Sequence, residues 1–278
     1  SINLGYTALQ ASVSATDWQV QGKDVSINLT TTSLDGVGQK AEGTLKVYAL
    51  KQPEQVERAK LVNPRNVIPF RRGLFAPEFK PEPDVSNVNS WELGEVVAEK
   101  GFTTDNSGQS TFAFGLKEGA YRVVVETQDR FGKKVTARAP IQVLNPKAGK
   151  LAIKVPHLLK APKWTAQPGE EFSALWGSGY GQARAFIEVE HRRRILQSFW
   201  TERGLTQFQL KQAVNEAMRG GFTVHVTMVR ENRAYLSSRK ISVPWTNKNL
   251  TVKWDSFRDK LQPGQKEKWT ATISGSNA

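Results

Sequence analysis

Residues 116–132 read LKEGAYRVVVETQDRFG and contain the turn and the strand that decide the fold. Side chains alternate between the two faces of a strand, so Tyr121, Val123 and Val125 share one face. Gly119 permits the backbone conformation that a tight corner needs. A tyrosine just past such a corner can bury its ring and return its hydroxyl to a nearby backbone group, as in the tyrosine corner of Greek-key β-sandwiches. The alternative is an ordinary hairpin with an aromatic start, and in both interpretations Gly119 and Tyr121 are scaffold.

Alternating patterns continue on both sides of this corner and predict about seven strands, the usual number for a sandwich. They are interrupted over residues 54–90, where closely spaced prolines exclude a helix or a central strand. We interpret this stretch as a long crossover insertion that packs Phe70, Phe75 and Phe79 on a neighbouring surface. The predicted strands lie at 10–20, 24–32, 44–50, 91–103, 110–116, 121–127 and 134–143.

A second series of strands follows a linker at residues 145–147, and a third begins at Leu250. Gln-Pro-Gly occurs at 167–169 and again at 262–264, each time between alternating runs. The two occurrences lie 95 residues apart. In an all-β chain, a repeat of this length indicates tandem domains. We therefore expect an all-β fold of antiparallel β-sandwiches of the immunoglobulin or fibronectin type III kind, with domains at 1–146 and 147–246 and the opening strands of a further, incomplete domain at 247–278. The second series has predicted strands at 151–155, 171–176, 183–190, 194–201, 222–229 and 235–243, and a short helical turn near 214–218.

Composition excludes several classes of function. The chain has 278 residues and no cysteine, so disulfides, thiol nucleophiles and thiolate metal sites are excluded. No apolar stretch approaches the ~18 residues that predict a membrane-spanning helix. The net charge of +13 is uneven: residues 1–146 carry 17 Lys and Arg against 16 Asp and Glu, whereas residues 147–278 carry 22 against 10. The second part is therefore the basic one, which is compatible with an anionic partner.

Residue types that could perform catalysis do not occur at the spacing of a known catalytic or metal-binding motif. His157, His191 and His225 lack metal-ligand spacing, and we expect surface or hydrogen-bonded histidines. There is no G-x-S-x-G nucleophile elbow, and the glycine-rich residues 177–181 lack the lysine of a phosphate-binding loop. We expect no catalytic, cofactor or metal site and no enzymatic activity.

One basic cluster is a candidate site for an anionic partner. It consists of Arg184, His191, Arg192, Arg193 and Arg194 on a predicted hairpin, with Arg203 and Trp200 nearby. The alternative is a solvated hairpin tip. Nucleic-acid binding is not expected, because Phe186 and Trp200 are assigned to the core and the exposed aromatics of a nucleic-acid platform would then be missing.

Three segments resemble macroglobulin-type domains of the α2-macroglobulin family. The first is FTTDNSGQSTFAFGLKEGAYRVVVETQDRFGKKV at 102–135, which contains the G-x-Y-R and D-x-x-G that the family often shows after T-x-x-G and F. The second, PGEEFSALWGSGYGQARAFIEVEHRRRILQSFW at 168–200, resembles the next such domain. The third, FRDKLQPGQKEKWTATISG at 257–275, is similar to the entry strands of a further one.

The resemblance implies a large extracytoplasmic protein that traps proteases. In that family a bait segment is cleaved, the molecule collapses around the protease, and in many members a Cys–Gln thioester captures it. This chain has no Cys-x-x-Gln, so the expectation is a structural scaffold fragment of a bacterial, periplasmic, envelope-anchored or secreted protease inhibitor. Its partners would be neighbouring macroglobulin domains and, through the whole protein, proteases. The alternatives are an Ig-like surface adhesin and a module that binds carbohydrate or an anionic polymer.

Overall fold

The first part of the chain is a β-sandwich of two sheets. The structure, a computed structural model, describes residues 7–59, 83–256, 260 and 262–275. A three-stranded sheet of order β1-β3-β6 faces a five-stranded sheet of order β2-β8-β7-β4-β5, and each pairing in them except β2–β8 is antiparallel. The strands are β1 (Gln10–Ala15), β2 (Gln19–Val20), β3 (Asp24–Thr32), β4 (Glu42–Leu50), β5 (Leu93–Thr103), β6 (Gln109–Gly115), β7 (Gly119–Gln128) and β8 (Lys134–Leu144).

The core of this sandwich lies between the inner faces of the two sheets. In β3 the alternation DVSINL leaves Val25, Ile27 and Leu29 fully buried. They belong to one buried cluster with Val123 and Val125 of the facing β7, which are also fully buried. β7 is central in the five-stranded sheet, between β8 and β4, so the strand that the opening motif predicts is also the one most enclosed by neighbours.

The second part is a smaller sandwich of the same kind. A three-stranded sheet of order β13-β10-β9 faces a four-stranded sheet of order β12-β11-β14-β15, and the two share one apolar core. A 3₁₀ turn at Glu216–Met218 lies close to the predicted helical turn. The strands are β9 (Leu158–Lys160), β10 (Glu171–Gly177), β11 (Ala185–His191), β12 (Arg194–Trp200), β13 (Gln207–Ala213), β14 (Phe222–Arg230) and β15 (Arg233–Ile241).

Two further strands form an isolated hairpin, β16 (Leu250–Ser256) and β17 (Thr270–Gly275). Trp254 and Trp269 meet edge to face at 6.2 Å between ring centroids, yet each is 54% exposed. Within the described residues, no further sheet covers the strand-forming residues of this hairpin. The sheets of the described residues, this hairpin included, confirm the expected all-β fold. The two sandwiches confirm the expected tandem arrangement.

A third apolar cluster joins the two sandwiches. It draws Leu50, Trp91 and Leu144 from the first and Leu158 and Leu175 from the second. It also includes Val88 and Ala120 from the first part and Leu151, Ile153 and Val155 from the connecting segment. The cluster is a continuous buried joint, because every one of these residues is less than 10% exposed.

The predicted strand at residues 151–155 is wrong. Leu151, Ile153 and Val155 are buried in alternation, but no sheet includes them. The alternation indicates an extended segment that buries the side chains on one of its sides. Here those side chains face the joint between the sandwiches, and the backbone of the segment belongs to no sheet. Alternation reports which side is buried and carries no information on backbone pairing.

Two other expectations concern irregular segments. The predicted strand at 10–20 is divided into β1 and β2, with a bend at Asp17 between them. Within the insertion of 54–90, the described residues 54–59 and 83–90 contain no strand, and a 3₁₀ turn covers Val88–Ser90. The proposed packing of Phe70, Phe75 and Phe79 lies outside the described residues.

Candidate functional site

The corner at the start of β7 is built around Gly119 and Tyr121. The hydroxyl of Tyr121 donates to the backbone oxygen of Lys117 at 2.9 Å, and the residue is 8% exposed. Gly119 has a φ of 152°, a region that residues with a Cβ rarely adopt. Burial raises the pKa of Tyr121, so the hydroxyl stays protonated and remains a donor at neutral pH. The geometry is that of a tyrosine corner.

The tip of the β11–β12 hairpin presents the basic cluster to solvent. Arg192 and Arg193 occupy the two central positions, with φ of 49° and 63°, as in a type I′ hairpin turn. Both are exposed, as is Arg194, which pairs with His191 across the hairpin. His191 Nδ1 donates to the backbone oxygen of Gly221 at 2.8 Å, which fixes the ring at the edge of the tip.

The structure does not place Arg184 in this cluster. It lies at the opposite end of the hairpin, about 20 Å from the tip along seven-residue strands. Its Nε donates to the backbone oxygen of Thr201 at 2.9 Å, and its guanidinium lies 5.3 Å from the centre of the Trp200 ring. The expected five-residue patch is therefore wrong as a single site, because the strand length separates its first member from the other four.

A cleft of about 330 Å³ opens beside the tip and is bounded by two consecutive glycines. Its lining includes the exposed Arg192, Arg193 and Lys240, together with Arg219 and Trp245. Arg219 is 6% exposed and already occupied, because its guanidinium forms two hydrogen bonds with the carboxylate of Glu216. It also donates to the backbone oxygen of Pro244.

The charges that line this cleft can attract an anionic group. The three exposed cations raise the local potential, whereas the carboxylate of Glu190 on the same lining lowers it. Glu190 is bonded to His225 Nε2 at 2.9 Å, and His225 Nδ1 lies 2.8 Å from Ser238 Oγ.

The outer face of the four-stranded sheet corrects a second expectation. Trp200 is 55% exposed and Phe186 is only half-buried, so neither belongs to the core. Their rings lie 5.2 Å apart on the outside, while Phe199 points inward and packs on Phe208 at 5.6 Å. Two adjacent aromatic residues in a strand cannot share a face. Because Phe199 points inward, Trp200 points outward. The argument against nucleic-acid binding that rested on a buried Trp200 is therefore removed.

The contact between His157 and Ser237 has the wrong direction of proton donation for nucleophilic catalysis. His157 Nε2 lies 2.7 Å from Ser237 Oγ, and Trp176 Nε1 donates to His157 Nδ1 at 3.3 Å. An indole nitrogen can only donate, so Nδ1 is an acceptor and the ring proton of neutral His157 is on Nε2. That proton points toward Ser237, whereas a general base would have to accept one from the serine.

Burial explains the state of this histidine. His157 stacks on Tyr235 with ring centroids 6.3 Å apart. Desolvation lowers the pKa of His157 to about 4, so the ring is neutral at pH 7. The contact with Trp176 requires that neutral form. His157 is consequently a structural link between β10 and β15.

A larger, shallower depression of about 930 Å³ lies at one end of the five-stranded sheet of the first sandwich. Three of its charged groups already have partners: Lys134 lies 2.6 Å from Glu126, and the carboxylate of Asp129 accepts from the backbone nitrogens of Ala8, Phe131 and Lys133. These bonds lower the pKa of Asp129, with the Ala8 contact contributing most. These contacts stabilise the tip of the β7–β8 hairpin, which borders the depression.

The part of the chain that the structure describes holds neither a group of metal ligands nor a membrane-spanning helix. Within residues 7–59, 83–256, 260 and 262–275, no three His, Asp or Glu side chains are grouped as metal ligands would be. Over the same ranges, no helix has the length and apolarity needed to cross a membrane.

Comparison with known proteins found neither a matching family model nor a matching curated protein. Among solved structures, the native conformation of Escherichia coli alpha-2-macroglobulin overlaps 94% of this chain at 11% identity, with a TM-score of 0.31. Trypsin-activated alpha-2-macroglobulin from Escherichia coli overlaps 93% at 10% identity with a TM-score of 0.32. A mutant of Salmonella alpha-2-macroglobulin overlaps 97% at 11% identity with a TM-score of 0.33. The chain spans 15%, 19% and 17% of those three proteins, respectively.

Proposed function

We propose that this chain is a non-enzymatic scaffold segment of a bacterial α2-macroglobulin-like protein that acts outside the cytoplasm and traps proteases as a whole molecule. The observation that carries the proposal is the buried joint between the two sandwiches. A module that only positions its neighbours needs fixed geometry, and a continuous apolar cluster provides it. The choice of family rests on the three sequence segments that resemble macroglobulin-type domains.

Polar contacts around the joint restrict its geometry further. The backbone nitrogen of Lys154 donates to Gln52 Oε1 at 2.8 Å across the two sandwiches. Lys160 Nζ lies 2.9 Å from a carboxylate oxygen of Asp17, also across the joint. Trp91, within the cluster, is held by a hydrogen bond from its Nε1 to its own loop. Hydrogen bonds have directional requirements that apolar contacts lack, so they favour one orientation of the two sandwiches.

The same proposal divides the chain into domains at 1–146 and 147–246, with 247–278 as part of a further one. A two-stranded hairpin is at best marginally stable alone, and β16–β17 leaves Leu250, Val252 and Ile273 more than half exposed. We infer that residues of a third sandwich cover this apolar face in the intact protein.

The proposal is tested by incubating two samples, this chain and the intact gene product, with a panel of endopeptidases. We expect the intact product to form a stoichiometric complex, seen as a mobility change on native gels and as protection of large substrates from cleavage. We expect the 278-residue chain alone neither to cleave peptides nor to inhibit any protease. Inhibition by the chain alone, or no complex with the intact product, would overturn the proposal.

A second candidate, a surface module that binds an anionic polymer, is favoured by the exposed arginine tip and its cleft. Retention of the chain on an immobilised sulfated polysaccharide would be compared with that of Arg192→Asn/Arg193→Gly. This double variant removes two charges but keeps a sequence suited to the type I′ turn. Salt-sensitive retention that the variant loses would favour this candidate over a purely structural role.

A further inference from the structure

Strand β12 is an edge strand whose outer backbone groups have no partner in the described part of the chain. It pairs with β11 on one side only. The backbone nitrogen of Thr201, the residue after β12, donates to Ala185 at 2.9 Å, so this position faces β11. Neighbouring residues of an antiparallel strand direct their backbone groups to opposite sides. The N–H and C=O groups of Trp200 and Ser198 therefore point away from the sheet.

Beyond a β-bulge at Leu196, residues 197–201 of this edge lack the charges and prolines that normally prevent strands from pairing with other chains, and the one charged residue of β12 is Arg194 at its start. Residues 195–201 read ILQSFWT and contain neither a charge nor a proline. Ile195, Leu196 and Trp200 are each at least half exposed. The opposite edge strand of the same sheet, β15, carries two arginines and a lysine instead. The difference between the two edges singles out β12 as a surface able to accept an added strand.

The two ends of β12 determine which strand would fit. Arg192, Arg193 and Arg194 lie at one end, and Arg184 and Arg203 lie just beyond the other. Within the described residues none of the five forms an ion pair with a carboxylate. The spacing of about 20 Å between the two basic ends matches the length of a six- or seven-residue strand.

The charge distribution argues against two other occupants. A second copy of the chain, paired through β12 in antiparallel fashion, would place each basic end against another basic end. A single-stranded nucleic acid would use the outer face, but Glu188 and Glu190 stand on that face beside Phe186 and would repel phosphates. A peptide strand at the edge lies one strand further from those carboxylates and uses the free backbone groups directly.

We propose that β12 is a docking edge for an extended segment of a partner protein, with an apolar centre and Asp or Glu at both ends. The segment adds a fifth strand to the sheet through main-chain hydrogen bonds to Ser198 and Trp200. Its alternate apolar side chains contact Trp200 on the outer face. Its acidic ends lie beside the arginines. This inference is independent of the protease-trapping proposal, since it needs only the edge and its charges.

The probe is a fluorescent synthetic peptide with a Val-Thr-Val-Thr-Val centre and two Glu at each end, titrated with the 278-residue chain and followed by anisotropy. The matched peptide has the same centre and Lys in place of Glu. We expect the Glu peptide to bind about tenfold or more tightly than the Lys peptide at low salt. The difference should shrink in ~1 M salt, where the Debye length falls to about 3 Å.

Three variants locate the binding. Ser198→Pro removes an outward N–H while leaving the bonds to β11 intact, and should weaken binding of the Glu peptide about tenfold. Leu236→Ser, on the same outer face but on β15, should leave it unchanged. Arg192→Asn/Arg193→Gly should reduce the preference for Glu over Lys ends, and tests the charge argument even if Ser198→Pro does not fold. Folding of each variant is checked by circular dichroism and urea unfolding.

Several results would overturn the proposal. One is equal binding of the two peptides, or binding that Ser198→Pro leaves unchanged. Another is preferential binding of a single-stranded oligonucleotide, which would assign the face to nucleic acid. A third is dimerisation in sedimentation experiments that Ser198→Pro abolishes, which would assign the edge to a second copy of this chain. Absence of binding by either peptide also refutes it.

Discussion

Tyr121 in the first sandwich and Trp200 in the second are both strand aromatics, yet they have opposite environments. Tyr121 is 8% exposed and its hydroxyl is hydrogen-bonded, whereas Trp200 is 55% exposed and lies beneath Arg184. Tyr121 follows the turn residue Gly119 by two positions in the sequence. Trp200 has another aromatic beside it, Phe199, that competes for the inward position. An aromatic in a strand therefore indicates scaffold only when its neighbours determine which way it points.

The largest effect that tests this contrast is expected from Tyr121→Ala. Removing a buried aromatic ring leaves a cavity and should cost roughly 3–5 kcal/mol of unfolding free energy. Urea unfolding of the 278-residue chain, followed by fluorescence and circular dichroism, gives the value. An unchanged midpoint would mean that Tyr121 is not a core residue and would remove one side of the comparison.

The second-largest effect concerns pH and the buried His157. Its pKa of about 4 in the fold lies below the unfolded value of 6.5, so the neutral ring stabilises the fold at pH 7. This stability is fully present above about pH 6.5 and is lost as the pH falls toward 4. The total is about 3 kcal/mol, of which roughly 2 kcal/mol is lost by pH 5.

His157→Gln provides the control, because it keeps a polar side chain without a titratable ring. Between pH 7 and pH 5 the native chain should lose about 2 kcal/mol more unfolding free energy than this variant. Equal slopes for the two proteins would show that His157 is solvated or charged in the fold, contrary to its contact with Trp176.

The fold was predictable where local chemistry and periodicity agree. The faces of β3 and β7, the corner at Gly119 and the short turn at Glu216 follow from alternation, glycine and turn composition. Residues 151–155 show the limit, because a buried extended segment and a buried strand have the same alternation. Partner choice across sheets depends on distant residues that periodicity does not encode.

The candidate site was predictable only in part, for a related reason. The arginine tip at 192–194 could be read from a hairpin whose turn residues are charged, and it is exposed. The separation of Arg184 from it also follows from strand length. The exposed position of Trp200 did not follow from the sequence, because Phe199 and Trp200 are consecutive and either of them could point inward. The contacts with Phe208 and with the second sheet decide between them.

The next smaller effect is expected from Tyr121→Phe, which separates the ring from the hydroxyl. The ring still fills the core, so only the 2.9 Å bond to the oxygen of Lys117 is lost. We expect a cost of about 1 kcal/mol, or somewhat more if that oxygen is left without another donor. The same urea titration measures it. A cost as large as that of Tyr121→Ala would assign the whole effect to the hydroxyl and none to packing.

The smallest effect is expected from Trp200→Thr, and it is the other side of the comparison. The ring lies outside the core, so its removal creates no cavity, and threonine favours a strand as tryptophan does. What is lost is the contact with Phe186 and the interaction with Arg184 at an exposed site. We expect a change in unfolding free energy of about 0.5 kcal/mol, the usual range for a surface substitution. The same variant should weaken binding of the Glu-ended peptide clearly, because a side chain that contributes little to folding remains available for a partner. A loss of stability above about 2 kcal/mol would instead show that Trp200 is packed against the chain itself, and the contrast with Tyr121 would disappear.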